Sequence, residues 1–199
     1  MVNLLFIPLA LNKHTAPKPL LGFTLIELLI TTTIITLLVS MAVSSLAKLW
    51  QKQQADVYVE TLQRAMAAAR YGAITSREIV SLCPYAETAC GEEWENGVMI
   101  FIDKNNNGII DDKETLMEFF DFTPNNSTVR WRASGRKNYL RYSPTGMARQ
   151  FGRFHICDKE GDLSLARALV ISRQGRTRIY KDRNNDGVVE DTNGATPEC

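Results

Sequence analysis

The sequence predicts an α+β protein in which one long N-terminal helix covers an antiparallel β-sheet domain. Three observations predict it. No Gly or Pro interrupts residues 23–71, apolar positions there change from continuous to helical spacing, and beyond Ile74 the pattern becomes short apolar runs separated by turn formers. At 199 residues the chain has room for one membrane segment and one globular domain with its own core.

Phe23 to Val43 is an apolar stretch with a single charge, Glu27. Its length suits a bilayer core, which takes about 20 helical residues. A secretory signal would carry its cleavage signature after the apolar segment, whereas here Leu21-Gly22-Phe23 precedes it, so the helix stays on the mature chain. Lys13 and Lys18 lie upstream and favour a cytoplasmic start, with Lys48 and Lys52 opposing them on the other side. This orientation puts the remainder on the far side of a membrane that the chain crosses once, in agreement with the position of the cysteines.

The helix continues over residues 44–72, where Leu46, Leu49, Val57, Leu62, Ala65, Met66 and Ala69 alternate with charged and amide side chains, and it is expected to end near Tyr71-Gly72. Residues 73–199 then form the β-rich domain. Strands are expected at Ile79 to Leu82, Val98 to Ile102, Leu116 to Phe122, Thr128 to Trp131, Tyr139 to Tyr142, Gly152 to Ile156, Ala168 to Ser172 and Arg176 to Tyr180. Turn formers separate them, among them Asn96-Gly97, Asn107-Gly108, Pro124-Asn125-Asn126, Ser143 to Gly146 and Gln174-Gly175. Short runs with short links imply antiparallel pairing, with the helix over one face.

All four cysteines, Cys83, Cys90, Cys157 and Cys199, follow the apolar run, which fits a disulfide framework in an oxidising compartment. Joining Cys83 to Cys90 closes a short loop that contains Pro84, and joining Cys157 to Cys199 pins the last residue to a strand. These are the expected pairs; Cys83 with Cys157 or Cys199 is the alternative. Charge is segregated too. Cys83 to Phe122 carries ten acids against Lys104 and Lys113, a net of about −8, while Val129 to Arg183 carries fourteen bases against four acids, about +10. Either the two stretches neutralise each other or the second is a basic surface for a polyanion.

The segment Gly22-Phe23-Thr24-Leu25-Ile26-Glu27-Leu28 resembles the processing site of type IV prepilins and pseudopilins. The resemblance implies that a prepilin peptidase removes residues 1–22, cutting after Gly22 and methylating the new terminus at Phe23. Glu27 then becomes the fifth mature residue. A carboxylate in hydrocarbon needs a partner, and a neighbouring subunit's terminal amine would supply one during assembly. Downstream, Leu82-Cys83-Pro84, Trp94-Glu95-Asn96-Gly97, Ile156-Cys157-Asp158 and Arg167 to Arg173 followed by Gly175-Arg176 resemble, in that order, the FimT and GspH branch of minor pilins and pseudopilins. The implied partners are other pilin-like subunits, met through the N-terminal helix.

Gly175-Arg176-Thr177-Arg178 matches the Gly-Arg-x-Arg element associated with DNA binding in FimT-like minor pilins of transformable bacteria. On a strand, Arg176 and Arg178 share a face, and Arg173, Lys181 and Arg183 extend the patch. Such groups contact phosphates and carry no base code, which suits uptake of double-stranded DNA of any sequence. The plainer alternative is a solvated hairpin on a type II secretion pseudopilin of the GspH kind, with no DNA role.

Asp103, Asn105, Asn107, Asp111 and Glu114, with Gly108 among them, fit the spacing of a twelve-residue calcium loop. Asp182 to Glu190 repeats its first half. Neither run is flanked by two helices, so an Asx-rich turn is the competing reading. No cofactor other than calcium is suggested. His14 and His155 are the two histidines, and no nucleophile–base arrangement accompanies either, so an enzyme is not expected.

Overall fold

The computed structural model describes residues 22–87, 89–121 and 127–199, and leaves the side chains of residues 41–45 outside the description. Residues 1–21 of the expected leader, the Pro124-Asn125-Asn126 turn and the strand end at Phe122 lie outside the described residues. Helix α1 spans Leu25–Ser76, and the chain divides into two compact units, Met1–Ser44 and Ser45–Cys199.

In the first unit α1 begins with a reciprocal cap. The Glu27 backbone N–H donates to Thr24 Oγ1 at 3.2 Å, and the Thr24 N–H donates to Glu27 Oε2 at 3.3 Å. Two of the orphan donors of the first turn are satisfied this way. Residues 22–40 are all exposed, Phe23 at 86%. The hydroxyls of Thr31, Thr33, Thr36 and Ser40 donate to carbonyls three or four residues back, so this apolar stretch has its hydroxyls bonded to its own backbone. Among the described residues no helix is long and apolar enough to cross a membrane. The segment expected to do so, 23–43, starts two residues before α1 and runs into the side chains outside the description.

In the second unit α1 buries Ala55, Tyr58, Val59, Leu62, Ala65, Met66, Ala69 and Ala73. Steps of three and four residues put these on one stripe. The helix overshoots the expected end at Gly72 by one turn. Gly72 is buried under Met117, where an added Cβ would lie 2.7 Å from its terminal methyl, and Ala73 still packs in the core. The stop comes at Arg77, in the left-handed region with φ 58, while Ser76 Oγ accepts the Glu78 N–H.

Among the described residues nine strands follow in two antiparallel sheets. The first contains β1 (Val80–Ala86), β2 (Ala89–Cys90), β3 (Val98–Ile102), β4 (Thr115–Phe120) and β6 (Leu140–Tyr142). Its order is β2-β1-β3-β4, and β6 pairs with the start of β1, Val80–Leu82. The second, ordered β5-β7-β8-β9, contains β5 (Ser127–Ala133), β7 (Gly152–Asp158), β8 (Arg167–Ile171) and β9 (Thr177–Ile179). Alternate residues of both sheets meet the helix stripe: Val80, Leu82, Val98 and Ile100 from one, and Phe154, Ile156, Leu169 and Ile171 from the other. A large side chain buried in this way contributes about 1.5–3 kcal/mol, so the stripe and two sheet faces hold the domain together.

Two elements were not foreseen, the two-residue β2 and a 3-10 turn at Trp94–Asn96. Trp94 is buried with its indole N–H on Asn138 Oδ1, and Tyr58 Oη donates to its carbonyl. Cys83 is bonded to Cys90 and Cys157 to Cys199, each with Cα atoms 5.5 Å apart. These are the pairs named above, and β2 exists because the first of them folds Cys90 back beside Tyr85.

Candidate functional site

The basic hairpin is built on β8 and β9. After Ile171 the chain turns through Ser172 to Gly175, where the Gly175 N–H donates to the Ser172 carbonyl at 2.9 Å and the Ser172 N–H to the Arg176 carbonyl. Gly175 has φ +74, and an added Cβ would lie 2.1 Å from the carbonyl oxygen of Gly146. Glycine is needed because two turns stack here, Ser143–Gly146 against Ser172–Gly175, with Arg70 Nε donating to the Gly146 carbonyl at 2.9 Å.

Arg176 lies just before β9 rather than on it, Arg178 lies in its middle, and both are exposed. Residues Thr177 and Ile179 face α1, where Gln63 Nε2 donates to Thr177 Oγ1, so Arg178 is on the opposite face of the sheet. Arg173 stacks over Phe151 at 5.0 Å from the ring centre. Lys181 and Arg183 follow on the outgoing chain and are exposed. Among the described residues none of Arg173, Arg176, Arg178, Lys181 and Arg183 has a carboxylate within 4 Å. Five cations of one sign thus border the exposed edge of β9 and a groove lined by Val170, Ser172, Thr177 and the two arginines.

The other predicted basic residues divide differently. Arg167 is buried and bonded to Asp56 of α1 and to the carbonyls of Ser164 and Ala166, so it is part of the scaffold. Arg141 donates to the carbonyl and side chain of Asn106 and lies over Tyr139.

The calcium-like run forms a self-satisfied loop. Asp103 is buried, its Oδ1 accepting the Asn107 N–H at 3.0 Å and its Oδ2 accepting Gly108 N–H at 2.9 Å and Ser81 Oγ at 2.6 Å. Glu114 accepts the N–H groups of Lys104 and Asn105; Asn105 and Asn107 accept those two residues ahead, and Asp111 accepts that of Lys113. The run Asp182 to Glu190 repeats this pattern: Asp182 accepts the Gly187 N–H and Glu190 the Arg183 N–H. Asn106 and Asn185 share positive φ, 64 and 62. These are matched Asx-rich turns whose oxygens hold their own backbone. Among the described residues no group of three or more His, Cys, Asp and Glu side chains is arranged around a metal position.

Gly22 and Phe23 are exposed at the start of the description, and an added Cβ at Gly22 meets nothing within 4 Å. Glu27 sits one helical turn in, committed to the cap with Thr24.

A single N-terminal helix laid over antiparallel sheets, behind an exposed apolar start, is the architecture of a pilin-like subunit, and the chain is a minor pilin or pseudopilin. It belongs to the family described as Type II transport protein GspH, whose model matches residues 58–175. Its fold is similar to the crystal structure of the type IV minor pilin FimU of Pseudomonas aeruginosa in space group P21. The TM-score is 0.52 at 20% identity, over 65% of this chain and 90% of that one. The same minor pilin in space group P65 aligns with a TM-score of 0.45 at 19% identity, over 65% and 91%. No curated protein matches the sequence. Members of such families are structural subunits and not enzymes, and their partners are other pilin-like subunits.

Proposed function

We propose that this chain is a minor type IV pilin that joins a filament, takes part in its assembly, and binds extracellular double-stranded DNA through the hairpin from Arg173 to Arg183. In this reading prepilin peptidase cuts after Gly22, Phe23 becomes the methylated terminus, and residues 23–43 anchor the protein in the inner membrane with its domain in the periplasm. The observation that carries the DNA reading is the set of five cations on the β9 edge without carboxylate partners among the described residues. Arg176 and Arg178, exposed and without a carboxylate partner among the described residues, can neutralise phosphates.

The test is a salt titration of the full chain in detergent against two unrelated duplexes. Replacing Arg176 and Arg178 together by Gln should lower the log affinity versus log salt slope by about two and weaken both duplexes alike. In a transformable host the double variant should lose DNA uptake while filaments still assemble. Mass spectrometry of the membrane-extracted protein should find N-methylated Phe23 as its first residue.

The second reading, a type II secretion pseudopilin with no DNA role, is favoured by the description of the matched family and by the purely structural part Gly175 plays. Wild-type protein with no DNA affinity at low salt would select it.

A further inference from the structure

The outer face of the second sheet carries an arginine row that no short motif displays. Strand register sets Arg132 of β5 opposite Arg153 of β7, Arg153 opposite Val170 of β8, and Val170 opposite Arg178 of β9. Trp131 and Phe154 belong to the helix side, so the arginines project from the other. At about 4.8 Å per strand the row is about 14 Å long, comparable to the roughly 12 Å width of a major groove. Arg130 lies on the same face, beside His155 in the next register row. Like charges directly opposite on neighbouring strands repel, so something must offset them.

The offset is the C-terminal strap, residues 189–199. It returns antiparallel to Lys181 through its pairing with Glu190, and the Cys157–Cys199 bond ties its end to β7. Glu198 pairs with Arg132, the Cys199 carbonyl accepts from Arg130 Nη1 at 3.2 Å, and the Glu198 N–H donates to His155 Nδ1 at 3.0 Å. Asp191 lies 3.8 Å from Arg153. The two carboxylates are not equivalent. Asp191 is buried and accepts the N–H groups of Asn193 and Ala195, which fixes it in its turn. The Arg132–Glu198 pair has side chains 58% and 57% exposed, and such a pair is weak and readily exchanged.

We infer that the arginine row from Arg132 through Arg153 to Arg178 continues the hairpin's DNA surface across the sheet, and that Glu198 occupies a phosphate position at Arg132 until DNA displaces it. This rests on the DNA reading proposed above. The strap stays bonded to β7 throughout, and only the carboxylate of Glu198 has to swing away.

The experiment compares full-length wild type, Glu198→Gln, and Glu198→Gln with Arg132→Gln, in detergent, by fluorescence anisotropy with a 30-base-pair duplex over a salt series. Glu198→Gln keeps the backbone bond to His155, and unchanged melting confirms the fold. It should bind about 3- to 10-fold tighter at about 50 mM salt, because no carboxylate has to be displaced from Arg132 before a phosphate takes its place. Adding Arg132→Gln should abolish the gain. If Glu198→Gln binds as wild type does or more weakly, while Arg176→Gln with Arg178→Gln still loses affinity, the strap inference falls and the hairpin reading stands. If none of the proteins binds the duplex, both fall together.

Discussion

At Gly175 a left-handed backbone and a carbonyl 2.1 Å from any added Cβ act together. Gly175→Ala should therefore lower stability by about 1–3 kcal/mol, read by urea unfolding, because the stacked turns must separate. His155 is a second site where environment decides chemistry. Burial lowers its pKa from 6.5; Glu198 opposes that shift, while Arg132, Arg153 and Arg130 add to it. Its Nδ1 accepts the Glu198 N–H, a bond the unprotonated nitrogen alone can make. With the folded pKa depressed, the contribution is fully present above the unfolded value and is lost as pH falls from about 6.5 through the folded one. Wild-type melting temperature should drop over that window, and His155→Gln should flatten the drop. The Ser164 hydroxyl, with Lys48 behind it, holds Asp162 at about 2, below that window.

Among the elements, the pin between α1 and β8 is set by one ion pair. Arg167 is almost fully buried and Asp56 about half exposed. Asp56→Ala leaves a guanidinium with two carbonyls and no counter-charge, and should cost about 1.5–3 kcal/mol by thermal unfolding. Arg167 stands in an apolar run, where sequence alone counts it among the surface cations; its partner lies 111 residues away. The strands themselves were legible because alternation survives wherever one face meets the helix, as Phe154 and Ile156 show against His155 and Cys157. β2 was not, since two residues held by a disulfide carry no period. The helix end was misjudged because Gly72 is small for the sake of Met117, not to stop the helix. The Gly-Arg-x-Arg residues could be named from a motif, but the arginine row could not. It exists only through the register of four strands, and nothing in the order Arg132, Arg153, Arg178 reveals it.

On the scale of the whole molecule, the proposed part of Glu27 in assembly can be separated from its part in the helix cap. It already caps its own helix through Thr24, so Glu27→Ala removes both a cap and a charge, whereas Glu27→Gln keeps an acceptor for the Thr24 N–H. Both should stay membrane-bound, since loss of the carboxylate eases insertion by about 2–3 kcal/mol. If pairing with a neighbour's amine drives assembly, both should be excluded from purified filaments, and recovery by Glu27→Gln alone would assign the residue to capping. The Cys157–Cys199 bond has a further consequence for the domain's fate after proteolysis. Lys159, Glu160 and Gly161 form an exposed turn inside the 42-residue span that the bond encloses. A trypsin cut after Lys159 would leave the fragment carrying β8, β9 and the strap covalently attached to the rest. The nicked protein should migrate as a single species on a non-reducing gel and separate into two only with a reductant, so one broken peptide bond need not detach the basic hairpin from the rest of the domain.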